Sequence, residues 1–171
     1  MAKGAEWAVP ELPFRLDFRV AGSDIDVWGH LNNVAWVRWV QQVAEAHSAA
    51  VGFDLARYHE LCVSWVVRRH EIEYLSPAYE GDRVTAVTWI GGLGSSSSER
   101  RTLFKKTEGG ESLVRASTLW VLVDASGRPT RILQLKISGQ SGGMLHRDAR
   151  IPMNGAQHMG HEGSILTEDV E

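Results

Sequence analysis

The sequence predicts an α+β domain in which one long helix covers an antiparallel sheet of about five strands. Three observations predict it. A helical stretch without Gly or Pro follows Asn33, β-rich segments flank it on both sides, and turn signals rather than further helices separate the later segments.

Residues 1–12 read as a leader, with Pro10 and Pro13 marking its end. Phe14, Leu16, Phe18 and Val20 then alternate with Arg15, Asp17 and Arg19, the period of a strand with one buried face. Gly22 to Asn33 is a polar turn. The helix after it places Val34, Val37, Val40, Ala44 and Val51 on one stripe, with Trp36, Val43 and His47 on a neighbouring one, and Gly52 as its stop. A connector to Leu61 has room for a short helical turn.

Val63 to Leu75 predicts a long strand whose alternation breaks at Arg68 and Arg69, the mark of a bulge or a change of buried face. Pro77 and Gly81 predict a turn, and Arg83 to Ile90 another strand. Gly91 to Ser97 reads as a flexible connection between strands. No helix follows it, so its glycines are not a phosphate-binding fingerprint. Ser98 to Thr107 and Ser112 to Asp124 are strands joined by a hairpin turn at 108–111. The expected order is one strand, one helix, then four strands in meander-like succession.

At 171 residues and 43% hydrophobic, the chain has enough apolar material for one sizeable core. A formal net charge of −3 argues against a general nucleic-acid binder. The single cysteine, Cys62, excludes an internal disulfide framework and suits a reducing compartment. No apolar run is long enough to span a bilayer and the start carries no signal-like apolar segment, so the expected location is cytoplasmic. Residues 138–171 lack periodicity and read as a flexible tail, in which His146, His158 and His161 have no metal-ligand spacing.

The chemistry concentrates in the polar turn. Asp24, Asp26, His30, Asn32 and Asn33 fall within ten residues at the mouth of the helix. Asn32 or Asn33 is the natural cap, and first-turn N–H groups left free at the positive end of the helix dipole suit an anion or an oxyanion. A carboxylate just upstream can attack a carbonyl polarised there, or take a proton from water. Taken alone, the same residues also read as turn formers, caps and a loop histidine.

The run Asp24-Ile25-Asp26-Val27-Trp28-Gly29-His30-Leu31-Asn32-Asn33, with Trp36, Arg38 and Trp39 after it, resembles the signature of hotdog-fold acyl thioesterases. The likeness is nearest to the hydroxybenzoyl-CoA thioesterase branch and more distant to the plant acyl-ACP thioesterases. It continues through Trp65 to Tyr74, Pro77-Ala78, Gly81-Asp82 and Trp120 to Asp124, covering about residues 12–135. The resemblance implies a hotdog domain over 13–137, its sheet wrapped around the central helix. It also implies a homodimer or dimer of dimers with active sites at the subunit interface.

Carried over by position, the resemblance makes Asp26 the catalytic carboxylate, Asn33 the site of the backbone N–H that holds the thioester oxygen, and His30 a catalytic or positioning histidine. Asp24 becomes a turn or supporting group. Trp28, Trp36 and Trp39 are candidates to line an acyl pocket, and Trp36 and Trp39 read more readily as core packing. Among the basic residues Arg68, Arg69, Arg100, Arg101, Lys105 and Lys106, the expected ligands for CoA phosphates are Arg69 and Arg101. No metal or cofactor beyond the CoA of the substrate is expected. Two departures stand out: plant relatives have asparagine where this chain has Trp28, and Glu-Cys where it has Ser76-Pro77-Ala78, which disfavours a cysteine mechanism. The alternatives are an acyl-ACP thioesterase, a non-catalytic acyl-thioester binder, and a hydratase. The last needs an Asp–His spacing that Asp26 and His30 do not have.

Overall fold

The long helix, α1 (Asn33–Ala50), buries Ala35, Trp36, Trp39, Val40, Val43 and Ala44 in a computed structural model that describes residues 7–132. The stripe is therefore centred on the two tryptophans. Val34, Val37 and Val51, expected on it, are 71%, 38% and 48% exposed in the single chain. The large rings decide the helix's rotation because they carry far more apolar area than valine. Trp36 meets Trp39 and Phe104 edge-on, each at 5.2 Å, and Phe18 stacks on Trp39 at 4.6 Å.

Five strands form one antiparallel sheet: β1 (Phe14–Arg19), β2 (Val63–Tyr74), β3 (Arg83–Leu93), β4 (Ser97–Lys106) and β5 (Ser112–Asp124). A short helix, α2 (Leu55–Glu60), leads into β2. The order across the sheet is β1-β3-β4-β5-β2. The meander thus holds only for β3, β4 and β5, and β2 lies beyond β5 at the far edge. Three strand spacings, about 14 Å, separate β2 from β3, and residues 75–82 are long enough to cross them. That crossing is pinned where it passes the end of β1: Leu31 N–H donates to Ala78 O at 2.8 Å and Val20 N–H to Asp82 O at 3.0 Å. With α1 against its inner face, the sheet has the hotdog arrangement.

The register slips between Val67 and Arg69, as the broken alternation predicts. A second slip lies between Ile90 and Gly92. There the expected flexible stretch is strand: β3 continues to Leu93, and only residues 94–96 connect it to β4. Gly91 permits this, because a Cβ at that position would sit 2.8 Å from the Arg101 side chain.

On the outer face, Val87, Trp89 and Leu103 form a smaller cluster against Trp7, which meets Trp89 edge-on at 6.3 Å. Residue 7 of the leader is therefore packed rather than loose. The tail and its histidines lie outside the described residues, and among those described no group of side chains has metal-ligand geometry. No described helix is long and apolar enough to cross a membrane.

Candidate active site

After β1 a single 3-10 turn at Gly22–Asp24 leads into a closed loop, its ends joined by the Ile25–Leu31 bridge. Gly29, with φ of 81°, supplies the left-handed residue that lets the chain reverse. Asp26 organises this loop from both sides. Its N–H donates to His30 O at 2.8 Å, and its Oδ1 accepts from the N–H groups of Trp28 at 2.8 Å and His30 at 3.2 Å. Its Oδ2 has no partner among the described residues. One carboxylate oxygen is held by the loop while the other stays open.

The mouth of α1 is equally specific. Asn32 is the cap, its Oδ1 accepting from Val34 N–H at 2.8 Å. Asn32 N–H donates to Asp24 O, and Ala35 N–H to Asn32 O, both at 2.9 Å. Of the N–H groups that a helix start leaves open, only that of Asn33 lacks an acceptor among the described residues. A partial positive charge and one free donor therefore sit at the first residue of α1, in the loop system that Asp26 holds.

The supporting residues come from three elements. Arg38, one turn into α1, donates from Nη2 to Asp24 Oδ1 at 2.7 Å. Asp24 is thus tied to the helix through both its side chain and its backbone. His30 lies edge-on to Tyr79 at 5.4 Å, and Tyr79 in turn lies under Lys106 Nζ, 5.8 Å from the ring centre. Tyr79 belongs to the residues that sequence reasoning missed, since it carries no periodic signal and enters only through the crossing of residues 75–82. Val27 and Trp28 follow Asp26 with apolar side chains that are 93% and 80% exposed.

The remaining expected site residues fall elsewhere. Trp36 is a core residue, 3% exposed. Arg69 and Arg101 are on the sheet face opposite α1, Arg69 3.5 Å from Glu71 and Arg101 3.3 Å from Glu99. The chain alone does not bring them to Asp26. Arg100, from the same basic run, points the other way and is buried beneath α1.

The sequence model of the acyl-ACP thioesterase N-terminal domain matches residues 11–135. The chain belongs to this family. It is 25% identical over 121 residues to a chloroplastic acyl-[acyl-carrier-protein] hydrolase of Cuphea viscosissima, covering 67% of this chain and 29% of that protein. To the chloroplastic dodecanoyl-[acyl-carrier-protein] hydrolase of Umbellularia californica it is 24% identical over 137 residues, 77% of this chain and 36% of the relative. The chain spans about a third of the length of these relatives. Among solved structures, the 12:0-ACP thioesterase of Umbellularia californica superposes with a TM-score of 0.63 at 25% identity, over 70% of this chain and 46% of that one. A 1,4-dihydroxy-2-naphthoyl-CoA thioesterase from Synechocystis shares the fold, with a TM-score of 0.67 at 16% identity over 73% and 93% of the two chains. The likeness to hotdog-fold acyl thioesterases read from the sequence motifs therefore holds, with the plant acyl-ACP enzymes among the relatives found.

Proposed function

We propose that this acyl-ACP thioesterase family member hydrolyses an acyl-CoA to a carboxylic acid and free CoA, with Asp26 as nucleophile or general base. The observation that carries the proposal is that one loop and the helix start it enters hold both a half-engaged Asp26 carboxylate and an Asn33 N–H without an acceptor among the described residues. The donor polarises the thioester oxygen and holds the negative charge that develops on it. If Asp26 attacks, the C–S bond breaks, the thiolate leaves with a proton from water, and a second water opens the acyl-aspartyl anhydride. If Asp26 acts as a base, it takes a proton from the water that attacks the carbonyl directly. Neither route needs a metal or redox group.

The names of the curated relatives favour a second reading of the thiol carrier, an acyl-ACP in place of acyl-CoA. The exposed edge of β2, beyond which no described strand pairs, supports a homodimer through that edge. The single cysteine fits a cytoplasmic enzyme.

The test is thiol release from aromatic, short and long acyl-CoAs and from matching acyl-ACPs, with wild type and Asp26→Asn in parallel. Asparagine keeps an oxygen for the Trp28 and His30 N–H groups, so the loop should persist while turnover falls by about a thousandfold. Near-wild-type turnover in Asp26→Asn would overturn the mechanism. Release from ACP esters alone would move the substrate to the carrier protein, and tight binding without release would make the chain a binding module.

A further inference from the structure

The sheet face beneath α1 changes character along the helix. Under its first half the face is apolar, with Val84, Ala86, Phe104 and Val114 all fully buried. Further along, the same strands present Thr88, Thr102, Thr118 and Arg100, at most 7% exposed. Across the strands Ile90 pairs with Arg100 and Arg100 with Thr118, and His47 reaches down from α1.

Arg100 is the costly member. Its Nη1 donates to His47 Nδ1 at 2.6 Å and to Thr88 Oγ1 at 3.5 Å. Its Nε and Nη2 bond to no described residue, and no described carboxylate pairs with it. His47 supplies no counter-charge. Burial and the Arg100 charge hold its pKa down at about 4, so it is the neutral acceptor. A guanidinium taken out of water without an opposite charge is strongly unfavourable, and packing alone would be served better by an aliphatic residue.

A second open donor lies on the neighbouring strand. Trp120 follows Thr118 on the inner face of β5, is 7% exposed, and has a buried Nε1 with no acceptor among the described residues. Both open positions are donors, so the group they suit is an acceptor with negative charge. His47 lies fourteen residues after Asn33 along α1, which places this cluster about 21 Å from the proposed acyl carbonyl.

We propose, resting on the thioesterase reading, that Arg100 and Trp120 receive a carboxylate at the far end of the substrate's acyl chain. The preferred substrates are then ω-carboxyacyl thioesters rather than methyl-ended ones, a specificity set at the opposite end of the helix from the chemistry.

The experiment compares kcat/KM for pairs of acyl-CoAs of equal length, one ending in a carboxylate and one in a methyl group. Wild type should favour the carboxylate member by about tenfold to a hundredfold at the matching length, and Arg100→Met should abolish or reverse that ratio. A wild-type preference for methyl-ended chains, or a ratio that Arg100→Met leaves unchanged, overturns the proposal. The unchanged ratio includes the case in which one of the chain's own carboxylates occupies the site. Should Arg100→Met fail to fold, Trp120→Phe decides, by lowering the ratio or leaving it intact. If no ester is cleaved, the thioesterase reading falls separately, and calorimetric titration with dicarboxylate and fatty acid of equal length decides the site. Binding at least about tenfold tighter for the dicarboxylate, lost in Trp120→Phe or Arg100→Met, supports it, and equal binding overturns it.

Discussion

Arg38 and Asp24 are joined at 2.7 Å between Nη2 and Oδ1, tying the second turn of α1 to the loop that carries Asp26. The Arg38 side chain is 51% exposed, so the ion pair itself adds little to stability, well under about 1 kcal/mol. Its value is positional. Arg38→Ala is expected to leave the urea midpoint nearly unchanged while lowering kcat by about threefold to tenfold, because the free donor and the carboxylate no longer keep a fixed relation. Equal losses in stability and in turnover would mean the pair is a structural tie only.

The two asparagines at the helix start should separate cleanly. Asn32 caps α1 with its side chain, whereas the Asn33 backbone N–H lacks an acceptor among the described residues and its side chain is exposed. Asn32→Ala is expected to cost about 1 kcal/mol and to lower turnover. Asn33→Ala should retain most activity and stability. Thermal unfolding and thiol release on both variants check this, and a large loss of kcat in Asn33→Ala with stability intact would assign the oxyanion contact to the side chain.

Much of the candidate site's geometry was legible because its residues are local in sequence: Asp26 and His30 lie in one short loop, the capping Asn32 and the first helical residue Asn33 follow directly, and turn residues announce it. What the chain brings from afar was not. Tyr79 reaches His30 only because residues 75–82 cross the end of the sheet, and no spacing along the chain encodes that crossing. The position of β2 was missed for the same reason, since strand pattern fixes where a strand is but not which neighbour it takes. Arg100 is a different case. Its alternation with Thr102 and Phe104 already set it on the inner face, and reading it with the basic residues around it hid that.

Acidification should expose the cost of the buried histidine. Folding holds His47 at about 4 against an ordinary 6.5, first through burial and then through Arg100, and burial lowers His70 in the same direction. A histidine lowered on folding binds its proton more readily in the unfolded chain. Stability is therefore complete above pH 6.5 and declines as the pH falls from 6.5 toward 4. Asp124, lowered mainly by its hydrogen bonds from Ser126 and Arg128, adds a loss only further down, as the pH falls below 3.8. Urea midpoints measured across this range should fall with pH, and His47→Gln should flatten the fall between 6.5 and 4. A midpoint that holds constant down to pH 4 would show that His47 protonates without opposing the fold.

The edge of β2 gives the last expectation. This strand runs for twelve residues with β5 on one side, no described strand on the other, and exposed Val66 and Val67 near its middle at 44% and 38%. Proteins seldom leave so long an edge open, because its free N–H and C=O groups invite another strand. The edge is therefore expected to pair with its equivalent in a second copy, an isologous contact that closes on itself and makes a dimer. Sedimentation should give twice the 19.0 kDa chain mass. Val66→Lys with Val67→Glu places charges on both faces of the edge and should return the monomer with its circular dichroism preserved. If the active sites need both chains, turnover should fall in step with the dimer fraction and recover at high protein concentration. A folded monomer with full turnover would instead place the whole catalytic apparatus, from Asp26 to the Asn33 donor, within one chain.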